Sequence, residues 1–303
     1  MRTAALALLL GASLSLSQGQ VQPPTQVYYS PESSLSFVGS PSIVRCGSDG
    51  PLLASHDCFG ACGPRSATAF VFSSLDNGTT WAPVGNSSGM YWATLFQREG
   101  DAGVYLMGSS SDGYTTHATA ALARSSDCGV TWTPSVSLLS WQHQISTGPT
   151  PVLALGGRLW RAFERNDGAW ATGFGSFMLS APQDAVSLLD PAVWTFSSTL
   201  DFASVAGQVP PSWGNPAVAP AFGWLEGGAV ELPEGMPGAV GIILRVNSAP
   251  AANKAALLTL ANASALPIFA GWIDFPGGMS KFSVRRDTLT GWWVTVRTRG
   301  GAG

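Results

Sequence analysis

Few residues in this chain can do chemistry, and the cysteines and histidines come first. The cysteines are Cys46, Cys58, Cys62 and Cys128. Four allow three disulfide connectivities, and the loop Cys58-Phe59-Gly60-Ala61-Cys62 is short enough to be clipped by its own two sulfurs. A structural zinc site needs ligands in closely spaced pairs. His56, His117 and His143 are scattered instead, so the sequence implies neither a metal nor an organic cofactor. Three N-x-S/T triplets, Asn77-Gly78-Thr79, Asn86-Ser87-Ser88 and Asn262-Ala263-Ser264, are acceptors for N-linked glycans if the chain is exported. Asn77 is the doubtful acceptor, because it lies inside a tight turn. Charged residues make up 11% of the chain, against roughly 25% in an average soluble protein. The net charge is −3 with no basic block, so nothing in the sequence favours nucleic acid.

The elements that would position such residues are short. At the N-terminus, Met1-Arg2 precedes an apolar run from Ala4 to Ala12, and the small residues Ser15 and Ser17 offer a cleavage site near Gln18. This reads as a secretory signal peptide over 1–17, followed by a polar, proline-containing lead over 18–34. Export places the cysteines where disulfides persist. No later run approaches the ~20 apolar residues of a membrane span; Ala239–Leu244 is strand-sized. Beyond the lead, helical periodicity is almost absent. Apolar stretches such as Pro41–Val44, Leu52–Ala54, Ala67–Phe72, Gly103–Met107 and Ala118–Ala123 alternate with turn residues. The 36 glycines and 21 prolines supply those turns. Strand-length runs broken by turn signals every ~8–12 residues predict an all-β sandwich, barrel or propeller.

One stretch occurs twice and chooses among these. Ser74-Leu75-Asp76-Asn77-Gly78-Thr79-Thr80-Trp81 and Ser125-Ser126-Asp127-Cys128-Gly129-Val130-Thr131-Trp132 both fit S-x-D-x-G-x-T-W. Each follows a strand-like run. The aspartate is suited to accept backbone N–H bonds across a turn, the glycine supplies a positive φ, and the tryptophan can fold back on the sheet. Such a turn locks a hairpin by itself, so it can be copied once per unit. A period of ~40–50 residues in four-strand units is that of propeller blades.

These octapeptides resemble the Asp-box (BNR) repeats of sialidases and sialidase-like six-bladed β-propellers. The resemblance extends over roughly residues 35 to 298. Val38–Val44 with Leu52–Asp57 is similar to the family's first-blade R-I-P strand and the strand after it. Gly157–Trp160 looks like an inner strand of blade three, and Met178–Pro182, ending near Trp194, like a decayed Asp box. Glu226–Gly235 followed by Ile242–Arg245 resembles the blade-four pattern of a glutamate, a strand, a turn and an arginine. Lys281–Arg285 would open blade five. The expected fold is therefore all-β, a propeller of four-stranded antiparallel blades over 35–303. A six-bladed ring would need roughly 60 to 80 residues more, beyond the terminal Arg299–Gly303.

The family's chemistry uses arginines to clamp a substrate carboxylate, a tyrosine nucleophile activated by a glutamate, and an aspartate as acid/base; the tyrosine departs from the usual pair of carboxylates. Carried over by position, Glu226 stands for the activating glutamate, Asp57 for the acid/base, Arg245 for the second clamp arginine and Arg285 for the third. Glu164 and Lys281, with Asp274, would face the mouth. Ser74, Asp76, Gly78, Trp81, Ser125, Asp127, Gly129 and Trp132 would be structural, on the outer rim. The first clamp arginine is replaced by Gly39-Ser40-Pro41, Arg45 falling past the strand, and all five tyrosines, Tyr28, Tyr29, Tyr91, Tyr105 and Tyr114, come early. The resemblance thus implies a secreted exo-glycosidase of sialidase type acting on terminal sugars of glycans, or else a non-catalytic propeller that binds a glycan or protein through its mouth.

Overall fold

The computed structural model describes residues 25–62, 67–110, 119–139, 143–166, 168, 172–213, 222–247, 251–287 and 289–297. The expected signal peptide, Gln18–Pro24 of the lead, Tyr114, His117 and Arg299–Gly303 lie outside these residues.

Apart from single-turn 3-10 helices, the regular elements are strands, grouped in sheets in chain order. The first sheet runs β1 (Ser36–Arg45), β2 (Leu52–Gly60), β3 (Thr68–Ser74), β4 (Ala82–Ser88). The second runs β5 (Tyr91–Gln97), β6 (Val104–Ser109), β7 (Ala120–Ser125), β8 (Val136–Ser137). In the third, the first position is split into β9 (Gln144–Ser146) and β10 (Leu153–Leu155), both pairing β11 (Arg158–Asn166). Next comes β12 (Phe174–Pro182), and the last position is split into β13 (Thr195–Phe196) and β14 (Leu200–Asp201). The fourth runs β15 (Trp224–Val230), β16 (Val240–Val246), β17 (Lys254–Leu260), β18 (Ile268–Asp274), and a two-stranded sheet pairs β19 (Phe282–Arg286) with β20 (Trp293–Arg297). All pairings are antiparallel.

Each sheet stacks face to face on the next. Leu53, Ala69 and Val71 of the first meet Leu95, Val104 and Leu106 of the second. Tyr105 and Met107, alternate residues of the same β6, meet Phe163 and Phe177 of the third. Ala162 and Met178 then meet Ile242 and Leu258 of the fourth, and Ile243 and Leu257 meet Phe282 and Val284 of β19. A strand buried on both faces has no polar side, which is why β6 reads as an unbroken apolar run. With the first strands β1 and β5 in contact, and β15 against β19, the sheets fan around a common axis. The fold is a β-propeller of four-stranded antiparallel blades.

Both octapeptides form the turn between the third and fourth strands of their blades. Asp76 Oδ1 accepts from Thr80 N at 2.8 Å, Thr80 Oγ1 donates to Asp76 Oδ2 at 2.6 Å, and Trp81 Nε1 donates to Gly78 O at 3.1 Å. Asp127, Thr131, Trp132 and Gly129 repeat these bonds at 2.9, 2.5 and 3.1 Å. The hydrogen bonds, led by those from the threonines, hold both aspartate carboxyls down at about 2. Trp194 also donates its indole N–H to a backbone carbonyl, but to Leu188 O six residues back, at 2.8 Å, instead of a turn glycine three residues back.

Two expectations about strands change. β2 continues past Asp57 to Gly60, and in Gly157–Trp160 the strand begins at Arg158, as β11, the second strand of its blade, paired with both pieces of the split first strand. The disulfides are Cys46–Cys128 and Cys58–Cys62. The first joins the end of β1 to the octapeptide turn of the second blade. Such bonds fit an oxidising compartment, and no helix among the described residues is long and apolar enough to cross a membrane.

Candidate functional site

Three first strands share an irregularity. Register shifts fall between Gly39 and Ser42 in β1, Tyr91 and Thr94 in β5, and Leu225 and Gly228 in β15. Within each, one non-glycine residue takes a left-handed conformation: Ser40 (φ 52°), Trp92 (φ 52°) and Glu226 (φ 55°). A β-bulge bends its strand and re-aims a side chain, and a left-handed non-glycine persists only where its surroundings impose it.

Two of these residues, Trp92 and Glu226, line one cavity of about 220 Å³ with Ser146, Thr147, Phe174, Leu225, Arg245 and Lys281. Glu226 Oε2 meets Arg245 Nη1 at 2.8 Å and its Oε1 meets Lys281 Nζ at 2.8 Å. The Glu226 and Arg245 side chains are only 12% and 17% exposed, so this pair is shielded from solvent, whereas Lys281 at 46% reaches out. Arg245 arrives because β16 pairs it with Leu225, next to the bulge.

Asp57 is not among the residues lining this cavity and reaches it only through the Trp92 backbone. It is buried, and its Oδ2 accepts from Trp92 N at 2.5 Å. Its Oδ1 has no hydrogen-bond partner among the described residues. Burial pushes its carboxyl up to about 7, against the pull of the Trp92 backbone amide and the Lys281 charge.

Other residues expected at the mouth stand elsewhere. Glu164 sits within β11, fully buried, and its Oε1 accepts from Gly227 N at 2.8 Å. Burial pushes its carboxyl up to about 8, opposed by that amide and reinforced by the charge of Glu226. Arg285 is exposed on a different cavity of about 470 Å³, with Ser42, Thr94, Pro149 and Ser283. It stands within β19, whereas Lys281 precedes that strand and lines the other cavity. Asp274 is exposed at the end of β18 and pairs with Lys254 instead. Arg45, at the far end of β1, donates to Gly50 O and to Asn77 Oδ1 at 2.9 Å, beside the first octapeptide turn.

Two residues of the site escaped the sequence reading. Nothing in the sequence separates Trp92 from the other eleven tryptophans. Arg161 is fully buried, with one nitrogen donating to Gly148 O at 2.7 Å and to Trp92 O at 3.4 Å and the other to Thr150 O. A signal for the bulges existed: each left-handed residue is followed by two small or cyclic ones, Pro41-Ser42, Ala93-Thr94 and Gly227-Gly228. No tyrosine lines the cavity among the described residues.

No protein-family model matches the sequence, and no curated protein does. Among solved structures, a protein of unknown function from Dyadobacter fermentans is similar with a TM-score of 0.52 at 14% identity, over 84% of this chain and 74% of that one. An α-L-arabinanase of Penicillium chrysogenum, solved with arabinobiose, gives 0.49 at 13% identity over 82% and 70%. The GH93 α-L-arabinofuranosidase of Fusarium graminearum gives 0.46 at 12% identity over 88% of each chain. At such identities the likeness is one of fold.

Proposed function

We propose that the protein is a secreted, sialidase-like exo-glycosidase that takes a terminal sugar of a glycan at the mouth of its propeller. The signal peptide over 1–17, the lead over 18–34 and the propeller from 35 onward would be its parts, and the octapeptides its Asp boxes. The observation that carries the reading is Glu226, set in a strained bulge, ion-paired to Arg245 and Lys281, and facing Trp92 across one cavity. That cavity is smaller than the roughly 300–1,000 Å³ of drug-sized sites, which suits a single ring. An aromatic face beside charged donors fits a sugar, with one apolar face and hydroxyls at its rim. Asp57 is the group suited to carry a proton at neutral pH, since its carboxyl stands near 7, the range in which acid/base groups work best. Arg245 and Lys281 would hold hydroxyls or a negative substituent of the sugar.

A second reading, a glycan-binding propeller without turnover, draws on Asp57 being buried behind Trp92 and on both oxygens of Glu226 being engaged. One experiment separates the two. The purified chain is assayed on fluorogenic sialosides and on a panel of neutral glycosides, with Glu226→Gln and Asp57→Asn as controls. The hydrolase reading expects release from at least one substrate, lowered at least 100-fold in both variants. Saturable glycan binding without release supports the second reading, and release that survives both substitutions removes these carboxylates from the mechanism.

A further inference from the structure

Blade three surrounds the peptide that follows Glu226. Glu164 Oε1 accepts from Gly227 N at 2.8 Å, and Thr150 Oγ1 donates to Gly227 O at 3.0 Å. Both backbone groups of Gly227, its N–H and its C=O, are thus held by the neighbouring blade rather than by a β-ladder. Gly148 lies so close that a Cβ there would come within 2.9 Å of Glu226 Cβ. The loop that carries Gly148 and Thr150 is pinned in turn by Arg161, and Thr150 O also accepts from Thr94 Oγ1 of blade two. Alternation along β11 sends Arg161 towards blade two and Glu164 towards blade four, so a single strand reaches the bulges of Trp92 and Glu226.

We propose that Glu164 is a positioning residue for Glu226: from inside β11 its carboxyl oxygen fixes the Gly227 peptide and so holds the left-handed bulge that aims Glu226 at Arg245 and Lys281. A carboxyl with no exposure is a poor choice for stability alone. Its Oε2 has no hydrogen-bond partner among the described residues, and an apolar side chain of similar volume often serves a core as well or better. The bulge explains its presence, because the ladder cannot serve the Gly227 amide where the register shifts, and a buried amide left unpaired is costly. Blade one repeats the device: Asp57 on β2 accepts from the bulged Trp92 amide of blade two. In both cases the second strand of one blade supplies a carboxyl to the first-strand bulge of the next.

The proposal rests on Glu226 being the working group of the mouth, and its test is built to fail separately from that reading. Glu164→Gln keeps a carbonyl oxygen for the Gly227 amide; Glu164→Met keeps the length and removes the acceptor. Hydrogen exchange at the Gly227 amide, which needs no substrate, is measured in both together with turnover on whichever glycoside the wild type cleaves. The expected result is protected Gly227 and kcat within about 3-fold of wild type in E164Q. In E164M, Gly227 protection is lost and kcat falls roughly 10- to 100-fold with KM little changed, the size expected from a small misplacement of a reacting group. Should E164M not fold, Glu164→Asn, whose amide is one methylene short of Gly227, takes its place with the same expectation. Gly227 protection that is unchanged without the acceptor overturns the proposal, as does an equal loss of kcat in E164Q and E164M. A wild type that cleaves no glycoside sinks the hydrolase reading, while the exchange measurement still decides the role of Glu164.

Discussion

At the scale of single residues, the site is built from charges that the interior would normally exclude. Asp57 and Glu164 are both buried, and burial raises both carboxyls, to about 7 and about 8. The sign of the consequence follows from linkage. A carboxyl raised in the folded state keeps a proton that the unfolded chain, near its ordinary value of about 4, has released. The stabilisation is therefore complete below about pH 4 and is lost as the pH rises through 7 and 8. Each group contributes at most about 1.4 kcal/mol per pH unit in that window. Urea denaturation at pH 5, 6, 7 and 8 should show the wild type losing stability with pH, and Asp57→Asn losing it less steeply, with the remaining slope due to Glu164. Parallel curves for the two proteins would mean that Asp57 does not hold its proton. This chemistry was half legible beforehand. Glu226 and Arg245 could be named together only because the run from Glu226 to Arg245 resembles the blade-four pattern of the sialidase-like propellers. Glu164, expected at the mouth, is instead fully buried, because a sequence with 11% charged residues does not say which of them are buried, and the in/out alternation of β11 is hidden when both of its faces are covered.

At the scale of elements, the two octapeptide turns have the same internal bonds and different surroundings, and this sets how much each glycine matters. Gly78 and Gly129 both have positive φ, 91° and 88°. A Cβ on Gly78 would meet nothing nearer than 3.8 Å, from its own blade's Leu52 and from Trp81. A Cβ on Gly129 would come within 2.9 Å of Val71 Cγ1, on the blade before it. The second turn is thus packed onto the first blade, beside the Cys46–Cys128 bond. Gly78→Ala should carry only the conformational penalty, about 1–2 kcal/mol for a left-handed L-residue. Gly129→Ala adds overpacking, typically another 1–3 kcal/mol. Chemical denaturation of the two variants checks the order; equal losses would mean that the turn is self-contained and that its docking is incidental. The motif itself was readable because its bonds are local, between residues four apart or fewer. The bulges of β1, β5 and β15 were not, because a register shift is a relation between two strands and leaves only small residues as its trace.

At the scale of the molecule, stability comes from successive sheets burying each other, with apolar interfaces between blades one and two, two and three, three and four, and between blade four and the two-stranded sheet of β19 and β20. The two end faces differ from these. That of blade one carries His56, stacked by Phe70 and Phe72 and covered by Tyr28 from the lead; that of the last sheet leaves Val294 and Val296 exposed. In such a fan each blade is held by its neighbours, and a covalent tie between adjacent blades removes more unfolded conformations than a clip within one strand end. The chain-entropy relation makes this quantitative. Cys46–Cys128 closes a separation of 82 residues, worth about 4.5 kcal/mol on that relation, while Cys58–Cys62 closes a separation of 4 and is worth about 2 kcal/mol. Replacing the first pair by serine should therefore lower the urea midpoint clearly more than replacing the second. Adding a reductant to the wild type should reproduce the loss seen with the first replacement and add the smaller loss of the second. The double variants Cys46→Ser/Cys128→Ser and Cys58→Ser/Cys62→Ser, each compared with reduced and oxidised wild type, measure both terms. A larger loss from the short clip would show that the loop at the end of β2, close below Asp57 and Trp92, holds the fan together more firmly than the bond between its first two blades.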